Sequence, residues 1–134
     1  MATTASARVV PTILVVDDEP DIREMISEML LLDGYRVRTA PNGKIALGQA
    51  RLSRPDLIVL DLMMPVMSGW QFLEAKEEDP DLAGIPVVVV TAALDARVEG
   101  AAMLLRKPFD LDTLLHAVAR LCGGGPEHLG QLSA

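Results

Sequence analysis

The sequence predicts an α/β domain, a parallel five-stranded sheet with helices packed on both faces. Three observations carry this. The segments "TILVV" (12–16), "LIVL" (57–60) and "VVVV" (87–90) are unbroken apolar runs, the pattern of strands covered on both sides. Helical apolar spacing separates them. Strand and helix alternate five times along the chain, which implies right-handed crossovers within a parallel sheet. At 134 residues the chain suits one domain with a core of its own.

The elements follow in order. Thr12 to Val16 is the first strand. Ile22, Met25, Ile26, Met29 and Leu30 then recur at three- and four-residue spacing, opposite Glu24, Ser27 and Glu28, so this segment is an amphipathic helix. Gly34 stands where such a helix stops. "YRVRT" (35–39) alternates and reads as a strand open on one side or lying at a sheet edge. A second helix covers Lys44 to Arg51 and leads into "LIVL" and Asp61. A third follows "SGW", from about Gln71 to Glu78, with Pro80 and Pro86 marking the loop before the valine run. Asp95 to about Ala101 gives a short fourth helix, and Met103 to Leu105 a short last strand. Asp110 is placed to cap a final helix whose inner face is Leu111, Leu114, Leu115, Val118 and Leu121. A strand order of 2-1-3-4-5 puts the alternating strand at an edge and the apolar runs inside, which is the doubly wound, flavodoxin-like arrangement. The expected boundaries are a flexible N-terminal arm at 1–11, the folded domain at 12–122 and a flexible tail at 123–134 beginning with "GGGP".

Composition excludes several function classes. A formal charge of −7 opposes broad attraction to nucleic acid or anionic lipid, and 3% aromatic residues leave few platforms for stacking bases. Neither direct nucleic-acid binding nor membrane contact is expected. No apolar stretch approaches the roughly 20 residues that span a bilayer. "MATTASARVVP" has neither the basic nor the apolar region of a signal peptide, so a cytoplasmic location is expected. The single cysteine, Cys122, lies in an apolar helical pattern and reads as a packed small residue.

In open α/β sheets the binding crevice lies beyond the carboxyl ends of the strands, where strand order reverses. Strand one ends in Asp17 and Asp18, strand three in Asp61 and strand four in Thr91, while strand five runs through "RKPF" to Lys107. Each has an ordinary structural role when taken alone. Asp18 could cap the helix that starts near Pro20, Thr91 could cap the following turn, and Lys107 could be a solvated surface lysine. Together, three acids, a hydroxyl and an ammonium at one edge form a coherent chemical set. Adjacent carboxylates disfavour each other's ionisation, and a Mg²⁺ ion with hard oxygen ligands would relieve that repulsion. A carboxylate beside such a metal can act as a nucleophile toward a phosphoryl group, with the metal, an ammonium and a hydroxyl neutralising the phosphoryl oxygens.

Here the residues carry a resemblance. "ILVVDDEPDIR", "DLIVLDLMMPVMSG", "VVVVTA" and "RKPFD" resemble, in order and spacing, the defining segments of the receiver domain of bacterial two-component response regulators, of the chemotaxis-regulator type. The similarity runs from about Thr12 to Leu121. It implies that Asp61 is the phosphoacceptor and that Mg²⁺ is held by Asp17, Asp18, Asp61 and the backbone carbonyl of Met63. Thr91 and Lys107 would contact the phosphoryl group, and Lys107–Pro108 would be a cis peptide. It also implies that the donor is a sensor histidine kinase or phosphotransfer protein, and that a downstream protein docks on the face of the fourth helix, fifth strand and fifth helix. Leu104 departs from the family pattern, which commonly has Tyr or Phe three residues before the lysine. Two alternatives stay open: a receiver fragment of a larger regulator or hybrid kinase, and a Mg²⁺-dependent phosphohydrolase working through an aspartyl phosphate. Such hydrolases commonly carry a general acid two residues after the nucleophile, where this chain has Met63, so a non-enzymatic signalling domain with only slow self-dephosphorylation is expected.

Overall fold

The computed structural model describes residues 10–93 and 98–122. Strands β1 (Thr12–Val16), β2 (Arg36–Ala40), β3 (Leu57–Asp61), β4 (Val87–Thr91) and β5 (Met103–Arg106) form one sheet in the order β2-β1-β3-β4-β5. All pairings are parallel. Helices α1 (Pro20–Leu32), α2 (Gly43–Leu52), α3 (Gly69–Glu77) and α4 (Leu111–Cys122) cover the two faces. The expected architecture and strand order are those observed.

Successive strand residues point to opposite faces, so each apolar run is divided between two cores. Leu14, Val16, Ile58, Leu60, Val87 and Val89 pack with Ala46, Leu47, Phe72 and Leu73 of α2 and α3. Ile13, Val15, Leu57, Val59, Val88 and Val90 pack with Ile26, Leu30, Leu114, Ala117 and Val118 of α1 and α4. Burying such side chains is worth about 1.5–3 kcal/mol each, and a polar residue within these runs would lose it on either face. In β1, β3 and β4 polar groups therefore appear only at the strand ends. β2 lies at one edge, with Arg36 and Thr39 exposed, as its alternating sequence asks.

Local chemistry sets the helix ends. Asn42 Oδ1 accepts the Ile45 N–H at 2.9 Å, which starts α2 one residue before Lys44. α3 begins at Gly69, two residues ahead of Gln71, because Ser68 and Gln71 cap each other: Gln71 N–H donates to Ser68 Oγ at 3.2 Å and Ser68 N–H to Gln71 Oε1 at 2.9 Å. Gly34 follows α1 at φ 98° and donates its N–H to the Leu31 carbonyl at 3.1 Å, the left-handed termination glycine favours. Met25 departs from its expected inward place and is exposed, since Ile26 and Leu30 supply the buried stripe of α1. Of the short helix expected from Asp95, residues 94–97 lie outside the described residues and 98–101 contain a turn. The expected terminal arm and tail also lie outside, apart from Val10 and Pro11; the Pro11 carbonyl accepts the Arg36 N–H at 3.0 Å. Cys122 packs against the α1–α4 core, its thiol donating to the Val118 carbonyl at 3.1 Å. Among the described residues no helix is long and apolar enough to cross a membrane.

Candidate functional site

Strand order reverses around β1 and β3, and the polar residues named from the sequence converge above the carboxyl ends of the sheet. β1 stops at Val16, so Asp17 and Asp18 leave it together; Asp61 and Thr91 are the last residues of β3 and β4, and Lys107 is the first after β5. The registers bring these ends level: Val16 faces Leu60, Asp61 faces Val90 and Thr91 faces Arg106. Carboxylate oxygens of Asp17, Asp18 and Asp61 lie within 4.8 Å of one another. Lys107 Nζ is 3.3 Å from Asp17 Oδ2 and 3.6 Å from Asp61 Oδ2. The Lys107–Pro108 peptide is cis.

Burial makes this cluster electrostatically tense. Asp61 is only 3% exposed, and its carboxyl is pushed up from 3.8 to about 6, by burial first and by the Asp17 charge second. Lys107 and the Met63 N–H, 3.4 Å from Asp61 Oδ1, offset part of that rise. Asp17 is fully buried and also raised; burial outweighs the Glu19 N–H at 2.9 Å and the Lys107 charge. Burial disfavours the Lys107 ammonium too, but Asp17, Asp61 and Glu19 more than compensate and hold its pKa above the usual lysine value. The Lys107 ammonium thus faces Asp17, Asp61 and Glu19 together. The donor set consists of hard carboxylate oxygens and fits a small divalent cation such as Mg²⁺.

Thr91 Oγ1 accepts the Ala93 N–H at 3.1 Å, and the Thr91 carbonyl accepts the Lys107 N–H at 2.7 Å. The hydroxyl keeps its own proton for another acceptor. The Met63 side chain is exposed, while its N–H turns back to Asp61. Asp18 is not the cap of α1. That position belongs to Glu19, whose side chain makes no capping bond and instead lies 3.7 Å from Lys107 Nζ. Sequence reasoning missed Glu19 as a neighbour of Lys107, and missed Arg23, whose Nη1 donates to the Asp17 carbonyl at 2.7 Å. Glu19 could have been suspected from its place beside the two acids; nothing in the sequence singles out Arg23.

The comparisons with known proteins agree with this geometry. Residues 13–119 match the response regulator receiver domain family. The chain is 39% identical over 122 residues to the probable transcriptional regulatory protein TcrX of Mycobacterium tuberculosis, covering 84% of this chain and 51% of that protein. It therefore spans about half the length of that relative. It is 32% identical to the protein PilH of Pseudomonas aeruginosa, covering 84% of this chain and 98% of PilH. Among solved structures, the Vibrio cholerae chemotaxis protein CheY4 superposes with a TM-score of 0.77 at 35% identity, covering 84% of this chain and 99% of that one. The Thermotoga maritima response regulator TrrA, solved in complex with Mg²⁺-BeF, gives 0.76 at 34% identity, with 84% and 99% covered. With the sheet order, the strand-end acids and these matches in agreement, the chain belongs to the response regulator receiver domain family, the signalling domains of two-component systems.

Proposed function

We propose that the chain is a phosphorylation-controlled switch in which Asp61 accepts a phosphoryl group from the phosphohistidine of a sensor histidine kinase or phosphotransfer protein. The added charge then shifts the balance between two surface arrangements. The carrying observation is the convergence of Asp17, Asp18 and Asp61 oxygens within 4.8 Å, with Lys107 Nζ 3.6 Å from Asp61.

In the transfer, an Asp61 oxygen attacks phosphorus as the phosphorus–nitrogen bond to the imidazole breaks, and the departing ring takes up a proton. The nucleophile must be ionised, and a pKa of about 6 leaves Asp61 mostly deprotonated at neutral pH. Asp17, Asp18, Asp61 and the Met63 backbone carbonyl are the residues that would hold Mg²⁺, which when bound neutralises charge on the phosphoryl oxygens. Lys107 supplies a second positive charge and Thr91 a hydroxyl donor to those same oxygens. Met63 stands two residues after the acceptor and has no proton to transfer, so the phosphorylated state decays slowly and the domain is not a turnover enzyme. The Mg²⁺-BeF complex of the related TrrA supports this reading.

Output passes to a downstream protein through the face of β5 and α4. Leu104 packs against the α2–α3 core, as Val98 and Ala101 do; having no ring to swing, it leaves the segment after Thr91 as the route from site to surface. The domain works in the cytoplasm, on its own or as one part of a longer regulator or hybrid kinase. The test is an intact-mass measurement after incubation with acetyl phosphate and Mg²⁺. One added phosphate on the wild type and none on Asp61→Asn supports the assignment, whereas label on the variant refutes it.

A further inference from the structure

The loop from Leu62 to Ser68 carries Met63, and two glycines bracket it. A Cβ placed on Gly69 would lie 2.6 Å from the Asp61 carbonyl oxygen, 2.6 Å from Leu62 Cα and 2.9 Å from Leu62 Cδ2. The Gly69 N–H also donates to the Leu62 carbonyl at 2.9 Å. The first residue of α3 is therefore seated directly on the backbone of the acceptor and its neighbour. Two of the three clashing atoms are main chain and cannot rotate away, so any side chain here must displace either α3 or the end of β3. Gly43, the first residue of α2, approaches the other end of the loop: its Cβ would meet Met67 Cγ at 2.9 Å, the Met67 carbonyl oxygen at 3.0 Å and Met67 Sδ at 3.1 Å. Two of those atoms belong to a flexible side chain. Gly48, in the middle of α2, has nothing within 4 Å.

We propose that Gly69 is a positioning residue for the acceptor site: its bare α carbon lets α3 clamp the Asp61–Met63 backbone in the placement that allows the acceptor carboxylate and the Met63 carbonyl to share one cation. Gly43 secures the far end of the same loop through Met67. This rests on the phosphoacceptor reading above. A residue whose only task is to tolerate the fold would affect stability; one that places a ligand-bearing backbone also affects metal affinity. Supporting groups of this kind typically change metal affinity about 10- to 100-fold when altered.

The test compares Gly69→Ala, Gly43→Ala, the double variant Gly43→Ala/Met67→Ala and the control Gly48→Ala. Mg²⁺ affinity is measured by calorimetry, thermal midpoint by circular dichroism and loop placement by the amide signals of residues 61–63 in metal-free protein. Gly69→Ala is expected to weaken Mg²⁺ binding at least about tenfold and to shift those amide signals. Gly43→Ala is expected to weaken binding less, with recovery of most of that loss in the double variant, where only the Met67 carbonyl contact at 3.0 Å is left. Gly48→Ala should raise the midpoint and leave affinity unchanged. A folded Gly69→Ala protein with wild-type affinity and unmoved amide signals overturns the proposal. If Gly69→Ala does not fold, Gly43→Ala decides: wild-type affinity overturns the proposal, and weakened affinity mostly restored in the double variant supports it. Failure of the wild type to bind Mg²⁺ sinks the phosphoacceptor reading instead. The amide shifts of whichever variant folds then judge the clamp alone: shifted signals support it and unmoved ones overturn it.

Discussion

Lys107 Nζ reaches Asp17 Oδ2 at 3.3 Å across 90 residues of sequence, tying the end of the sheet's first strand to the loop after its last. The Asp17 side chain is 1% exposed, so the ammonium is the cation that makes its burial tolerable. Breaking a buried pair by removing one partner costs about 3–5 kcal/mol. Lys107→Met is therefore expected to lose about 3 kcal/mol in metal-free buffer at pH 7. The loss should be much smaller near pH 4.5, where the stranded carboxyls take up protons. Urea denaturation at both pH values checks this, and an equal loss at the two would show that the pair carries no such electrostatic weight.

Asp61 gives the metal-free protein a definite pH dependence. Its folded-state pKa, about 6, lies above the ordinary 3.8, so the native state binds this proton more tightly than the unfolded chain does. The contribution is fully present below 3.8 and is lost as pH rises through 6, an integrated change of about 3 kcal/mol. Asp17 is shifted in the same direction. In the absence of metal, Asp61→Asn should exceed wild type in stability at pH 7 by about 1–3 kcal/mol and match it near pH 4. A variant advantage that does not change with pH would contradict this.

How much of this was readable beforehand depends on which contacts are local in sequence. β1, β3 and β4 were legible because burial on both faces leaves an unbroken apolar run, and the acids at their ends stood out against it. The Ser68–Gln71 capping box is equally legible as a Ser-x-x-Gln spacing, and it is this cap that moves the start of α3 from the expected Gln71 to Gly69. The spacing of Met25 matches the apolar stripe, and only the packed structure shows that Ile26 and Leu30 already fill it. The approach of Gly69 to the Asp61 backbone, and the reach of Glu19 to Lys107, depend on how separate elements stack. No pattern along the chain encodes either distance.

Mg²⁺ should stabilise the fold by the mass action of binding to the native state alone. At 100 times its dissociation constant the gain is about 2.7 kcal/mol, enough to move the thermal midpoint by several degrees. Asp18→Asn removes one of the three converging carboxylates and should reduce the shift seen at a fixed Mg²⁺ concentration, with little effect in its absence because Asp18 is only half-buried. Thermal melts with and without Mg²⁺ check this. An undiminished shift in the variant would remove Asp18 from the metal site.

Val66 holds strain in the loop between β3 and α3. The Met67 N–H donates to the Pro65 carbonyl at 2.7 Å and Val66 between them has φ 70°, a γ-turn with its central residue at positive φ, the rarer and strained form. A β-branched residue is a poor occupant of that region, at a cost of about 1–3 kcal/mol. Val66 is 75% exposed, so packing returns little of this. Asn tolerates positive φ while retaining a side chain, and Val66→Asn is expected to gain about 1 kcal/mol. Val66→Gly should gain less, since glycine also gives the unfolded chain more freedom to lose. Urea denaturation with an unchanged slope checks both. If the contacts at Gly43 and Gly69 hold the loop independently of this turn, Mg²⁺ affinity should stay at the wild-type value in either variant, separating relief of strain from displacement of the site.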